Sequence, residues 1–125
     1  MAENDALSQA PVGRARLRHL PLAPRKVRLV ADLVRGQTVG EALAILAHTP
    51  RAGAQPLAKL IKSARDGAET NPANAGLIGD PDALMVSRLV VDGGPILWRW
   101  QPRAYGRAAR IRKRSCHIAV ELSLS

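Results

Sequence analysis

From Gly93 to His117 the chain runs GGPILWRWQPRAYGRAARIRKRSCH without one acidic residue. Arg99, Arg103, Arg107, Arg110, Arg112, Lys113 and Arg114 fall inside this stretch, and so do Trp98, Trp100 and Tyr105, the only aromatics of the chain. Its apolar residues follow no period that would bury one face. A stretch this basic cannot enter a small core, because each unpaired buried charge would cost several kcal/mol or more. It must project outward. The segments on either side read as strands, so a long protruding β-hairpin over about 93–117 is predicted. An arm of about twelve residues per strand would reach roughly 40 Å at about 3.3 Å per residue. An isolated two-stranded ribbon is marginal in water, so a polyanion around the arm would supply what the core does not. Arginines would then pair with phosphates, and Trp98, Trp100 and Tyr105 would stack on bases.

The rest of the composition agrees with a polyanion partner. Nineteen Lys+Arg stand against 10 Asp+Glu in 125 residues, for a formal charge of +9 and a pI near 11.3. Lysine is sparse (Lys26, Lys59, Lys62 and Lys113), so most of the charge is the planar arginine fork that suits phosphate and stacks on bases. Such a surface gains affinity by releasing counterions. The length suits one domain, and the 46% apolar content allows a core built from Leu, Val, Ile and Ala, since Phe is absent.

Before the arm, Met1 to Gly13 reads as a short flexible tail. It has acids and no basic leader, so neither a secretory signal nor a transit peptide is expected. Arg14, Arg16 and Arg18 alternate with Ala15, Leu17 and His19, the period of a strand with one basic face, ended by Pro21. Pro24 opens a first helix with Val27, Val30, Ala31 and Val34 at helical spacing and Leu33 alongside; Gly36 stops it. Thr38 and Glu41 have capping-box spacing for a second helix, with Val39, Ala42, Leu43 and Leu46 as its stripe. A third helix carries Leu57, Leu60, Ile61, Ala64 and Ala68. Pro56 requires that this helix either begin nearby or kink. Residues 70–83 are a turn-rich loop. Leu84 to Val91 reads as a strand, and Ile118, Val120, Leu122 and Leu124 alternate as another. The fold class is α+β: three helices on a small three-stranded antiparallel sheet, with residues 14–125 as a single domain.

Other chemistry finds little support. The single cysteine, Cys116, excludes an internal disulfide and a multi-cysteine zinc site. His19, His48 and His117 are scattered. Cys116 and His117 are adjacent, so in a strand they point to opposite faces. Asp80, Asp82 and Asp92 sit among Gly and Pro and read as turn chemistry. No phosphate-binding glycine loop is present, and no apolar run is long enough to span a membrane. Three classes stay in view beside a ribonucleoprotein component: an independent nucleic-acid module reading a groove with its first helix, a cationic membrane-active protein, and a nuclease. Pro102 and Gly106 speak against the amphipathic helix that the membrane reading needs.

Several motifs carry a resemblance. Pro24-Arg25-Lys26-Val27-Arg28-Leu29-Val30-Ala31-Asp32-Leu33-Val34-Arg35-Gly36 resembles the first-helix motif of the large-subunit ribosomal protein twenty-two family. Gly94-Pro95, Pro102-Arg103-Ala104, Gly106-Arg107-Ala108, Ile111, Lys113-Arg114, His117-Ile118 and Val120 follow in the family's order. Ser63-Ala64, Ala68-Glu69 and Asn71 fit its third helix. The resemblance covers about residues 14–123. It implies a globular domain near the exit of the peptide tunnel and a hairpin threaded into large-subunit ribosomal RNA, helping that RNA to fold and assemble. The implied tip, on the tunnel wall, comprises Trp98, Trp100, Gln101, Pro102, Arg103, Ala104, Tyr105 and Gly106. Arg99, Arg103, Arg107, Arg110, Arg112, Lys113, Arg114 and His117 are expected to face RNA along the arm, Arg103 from the tip itself. Arg14, Arg16, Arg18, Arg25, Lys26 and Arg28 should give the domain an RNA-facing side. Implied partners are ribosomal RNA, neighbouring large-subunit proteins and the nascent peptide, on cytoplasmic ribosomes. No cofactor, metal, catalysis, membrane or homo-oligomer is implied. The chain departs from the family pattern at Ala23, where a capping Ser is frequent, at Pro56 and Gly67 in the third helix, at Gly93, at Trp98 and at Cys116.

Overall fold

A computed structural model describes residues 11–102, 106 and 108–124. The expected tail falls mostly on residues outside that set; Val12 and Gly13 are already tied to the sheet, with Gly13 opening the first strand. The strands are β1 (Gly13–Leu20), β2 (Met85–Gly93), β3 (Leu97–Pro102), β4 (Ala108–Lys113) and β5 (Cys116–Ser123); the helices are α1 (Pro24–Val34), α2 (Val39–Ala47) and α3 (Ala54–Thr70). A three-stranded antiparallel sheet has the order β1-β5-β2, and β3 and β4 pair as a separate antiparallel ribbon. This is the predicted α+β arrangement of three helices on a small sheet, with extended strand elements beyond it.

The period-two pattern of β5 explains its central place. Cys116, Ile118, Val120 and Leu122 are buried on one face, while His117, Ala119 and Glu121 turn to the other. Val86, Leu89 and Val91 of β2 join the buried face. The strand ends at Ser123, and Leu124, expected to continue the alternation, is exposed. Similarly β2 starts one residue after Leu84, because the Leu84 amide donates to Pro81 O in a short 3₁₀ turn.

All three helices cover the inner face. Val27, Val30, Ala31 and Val34 of α1 are fully buried; Leu33 is exposed, because it shares with Leu29 a neighbouring stripe that faces away from the sheet. Ala23 precedes α1 without a side-chain cap, while Thr38 Oγ1 accepts the Glu41 amide at the start of α2. Pro56 is the third residue of α3, within the first turn where amides have no intrahelical partner, so the helix begins nearby and needs no kink. Ala64 and Ala68 leave room for β1 to lie directly on α3: a methyl group at Gly13 would meet Ala64 O at 2.7 Å and Ala68 Cβ at 2.8 Å. Asn74 fastens this contact, donating from Nδ2 to Val12 O (2.8 Å) and Ala68 O (3.0 Å).

The β2 edge is closed from outside. Gly36 donates to Val86 O, and the guanidinium groups of Arg35, just past the end of α1, and of Arg28 within it reach Leu89 O and Val91 O. Successive carbonyls that would template a foreign strand are thus occupied by the protein's own donors.

Candidate nucleic-acid interface

The outer face of the sheet is left open by the helices, and the register builds it in rows. Arg14 of β1 and Arg88 of β2 lie on either side of Glu121; Arg16 and Val90 lie on either side of Ala119; Asp92 is opposite His117. Arg14 Nε is 3.8 Å from the Glu121 carboxylate, a loose pair that leaves its fork largely in solvent. Arg16, Arg18 and Arg88 are exposed. Ala119 of the middle strand makes the floor of an open groove of about 550 Å³, walled by Arg16, Arg18, Arg88, Asp92, His117 and Glu121. The arginines outnumber the acids here, so the groove suits an extended anion.

At one end of the groove β1 breaks register between Leu17 and Leu20. His19 takes φ +60°, a left-handed conformation in which a non-glycine residue is strained. The strain is compensated by contacts: the His19 amide donates to His117 Nδ1 (3.1 Å), and the two rings meet edge to face at 4.9 Å. Accepting that bond leaves Nε2 of a neutral His117 to carry the ring proton.

Gly94 and Pro95 form the neck between the sheet and the ribbon. The Gly94 amide donates to Ser115 O (2.9 Å), and Ser115 Oγ donates to Pro95 O (2.6 Å). A methyl group at Gly94 would lie 2.6 Å from Ser115 Oγ and 3.2 Å from His117 Cε1. A side chain at Gly94 would have to push the Ser115 hydroxyl off Pro95 O and crowd the His117 ring.

Beyond the neck, β3 and β4 pair from Leu97↔Lys113 to Pro102↔Ala108. Trp98 and Trp100 are two residues apart and therefore leave the ribbon on one face. The Arg112 guanidinium lies over the Trp98 ring, 5.7 Å from its centroid. Trp100 is the more open of the two at 70% exposure. Gln101, Pro102, Arg112, Lys113 and Arg114 are exposed. Arg99 and Arg110 occupy the register positions opposite Ile111 and Trp100. Gly106 has φ +72°, as a tight turn favours. Arg103, Ala104, Tyr105 and Arg107 lie outside the described residues.

The remaining expected contacts divide. Arg25 and Lys26 are exposed on the first turn of α1. Arg28 is also at the surface, but its Nε and Nη2 are committed to Val91 O at 3.1 and 3.0 Å. Arg88 was not among the expected contacts. Ser87 and Leu89 flank it, and its place on this face comes from the register that sets it opposite Glu121.

Groups whose residue types suggest other chemistry are structurally employed. Asp80 Oδ1 accepts the Asp82 amide in a side-chain turn, and Asp82 pairs with Arg65 at 3.0 Å. That bond, opposed by desolvation and aided by Asp66, raises the Arg65 pKa. Cys116 is fully buried, and desolvation pushes its thiol up, with the nearby Arg28 charge pulling the other way. A thiol so placed is inert. Among the described residues there is no cluster of His, Cys, Asp or Glu that could hold a metal, and no helix is long and apolar enough to cross a membrane.

Residues 15–123 match the family model described as Ribosomal protein L22p/L17e. The chain belongs to that family. It is 50% identical over 119 residues to the large ribosomal subunit protein uL22 of Anaeromyxobacter sp. (strain Fw109-5), covering 95% of this chain and 80% of the relative. It is 48% identical over 120 residues to the protein of the same name from Anaeromyxobacter sp. (strain K), covering 96% and 80%. The L22p/L17e motifs fall where this geometry gives them work: Gly94-Pro95 at the neck, Ala64 and Ala68 beneath Gly13, and the first-helix arginines along the β2 edge. The Ala23 departure has its structural counterpart in the uncapped start of α1.

Proposed function

We propose that this L22p/L17e protein is a structural, non-catalytic constituent of the large ribosomal subunit that binds ribosomal RNA through two surfaces. One is the outer sheet face, with Arg14, Arg16, Arg18 and the additional Arg88. The other is the arm, with Arg99, Arg103, Arg107, Arg110, Arg112, Lys113, Arg114 and, at its base, His117. Arg25 and Lys26 extend the sheet surface onto α1, together with whatever part of Arg28 its carbonyl contact leaves available. The observation that carries this reading is the separation between a sheet whose inner face is packed under three helices and an acid-free ribbon beyond a glycine neck. Among the described residues such a ribbon adds no side chain to the core, and it is too short to stand alone, so its role is outside the domain. RNA on both sides would hold it, and contact with more than one RNA segment would promote assembly. In this reading the end of the arm, from Trp98 to Gly106, lines the exit tunnel beside the nascent peptide, and neighbouring large-subunit proteins contact the globular domain.

Sedimentation tests the assignment. The tagged protein in a cell lysate should co-migrate with the large subunit on a sucrose gradient at high salt. Recovery only as free protein, or on DNA, would refute it and favour an independent nucleic-acid-binding module.

A further inference from the structure

We infer that Trp98 and Trp100 form a slot for a single unpaired nucleobase of the bound RNA. The inference rests on the RNA-binding role of the arm and specifies what one face of it recognises. Both indoles leave β3 on the same face. Residues two apart on a strand are separated by about 6.6–6.8 Å. That is the spacing at which the two side chains leave the backbone; with both rings turned across the strand, one base stacked at about 3.4 Å from each fills it once. Two bases do not fit between them, and a base that stays in its own stack cannot enter. Both indoles are accessible, at 49% for Trp98 and 70% for Trp100, although neither contributes to the core. Arg112 lies over Trp98; its guanidinium limits the side-chain freedom that would otherwise be lost on binding and places a cation beside the base's own phosphate. An apolar polypeptide could also cover two indoles. It would gain nothing from Arg112, and it would not need the rings to stand one base apart.

The two tryptophans are the only ones in the chain, so all indole emission reports this face. The test uses the full chain and two RNA hairpins of equal length and charge, one fully paired and one with a single-base bulge. Binding of the bulged RNA should quench the indole emission, and the paired RNA should bind with little quenching. Trp100→Ala should weaken binding of the bulged RNA by roughly ten- to a hundred-fold, while the salt slope and the affinity for the paired RNA stay as in wild type. Trp98→Phe should retain most of the preference. Equal quenching by both RNAs, or an unchanged preference in Trp100→Ala, would overturn the slot and leave phosphate binding standing. A blue shift with an unstructured apolar peptide but none with RNA would overturn it in favour of a polypeptide. Loss of all RNA binding in folded Arg112→Ala and Trp100→Ala alike would also overturn it, since a slot for one base does not carry the whole affinity. Failure of the wild type to bind either RNA would instead strike the underlying RNA-binding role.

Discussion

Gly13→Ala tests the seating of β1 directly on the backbone of α3. The added methyl lies 2.7 Å from Ala64 O and 2.8 Å from Ala68 Cβ, both nearer than atoms of this kind approach. One obstacle is helical backbone and the other a buried methyl, so neither can swing aside. Relief requires β1 to move off α3, which loosens Val12 from Asn74 as well. Overpacking of this kind costs about 1–3 kcal/mol. Alanine also restricts the unfolded chain, which returns about 0.4–1 kcal/mol. The net loss is therefore about 1–2 kcal/mol; with a urea slope near 1–1.5 kcal/mol/M, the unfolding midpoint falls by roughly 1 M. Gly67→Ala is the control. It lies within α3 with nothing within 4 Å of the added carbon, and should stabilise by about 0.5–1 kcal/mol through helix propensity. Urea titrations followed by circular dichroism measure both. A midpoint for Gly13→Ala at or above wild type, with Gly67→Ala shifted upward as expected, would refute the claim that β1 seats directly on α3.

Four further outcomes follow from the interface and its supports. Arg16→Ala and Arg88→Ala should each weaken RNA association and lower the salt slope by about 0.7–0.9 for every phosphate no longer neutralised; filter binding at several salt concentrations checks this, and an unchanged slope for Arg88→Ala would remove it from the surface. Gly94→Ala should displace Ser115 from Pro95 O and reduce RNA affinity, with a smaller drop in the urea midpoint than Gly13→Ala; the reverse ranking would place the neck in the core. Deleting Trp98 to Gly106 should leave the thermal midpoint of the domain close to wild type, and unfolding on deletion would contradict an arm outside the core. Cys116 should resist alkylation until the chain unfolds. Because burial raises its pKa above the ordinary value of 9.0, the native state holds the proton more firmly than the unfolded state. Its contribution to stability is thus fully present below pH 9.0 and lost as pH rises through the folded value. Cys116→Ala should flatten the alkaline fall in thermal midpoint, and a fall of unchanged steepness would count against this.

Elements whose residues repeat with a clear period were legible in the sequence. The stripe of α1, the Thr38 cap and the inner face of β5 all follow from spacing, because burial on one side imposes that spacing. The acid-free arm was legible for the opposite reason, since no burial was compatible with it. What could not be read depended on partners distant in the chain. Leu33 has the right hydrophobicity for the core but the wrong azimuth once the sheet fixes which side of α1 is inner. Pro56 allowed two readings until the start of α3 was fixed at Ala54. Arg88 belongs to the basic face only because β5 brings it across from Arg14, with Glu121 between them, a juxtaposition no local pattern encodes. The pairing of His19 with His117 likewise arises from a break in register.

The fold also limits how the net charge of +9 can be interpreted. Arg28 and Arg35 give their forks to the carbonyls of Val91 and Leu89, and Arg35 additionally pairs with Asp32. A bond between a charged donor and a backbone carbonyl is worth about 1.5–3 kcal/mol, and here it also closes an edge strand. These side chains therefore support the domain as well as its charge. Replacing either by lysine preserves the field that attracts RNA but not the fork, since one ammonium cannot place two donors on one carbonyl in a fixed plane. Arg35→Lys should consequently lower stability by about 1 kcal/mol while the salt slope of RNA binding stays constant. Arg16→Lys should do the reverse, leaving stability unchanged and altering only the RNA contact. If both replacements moved stability and binding together, the division between arginines that build the sheet and arginines that serve the ligand would not hold.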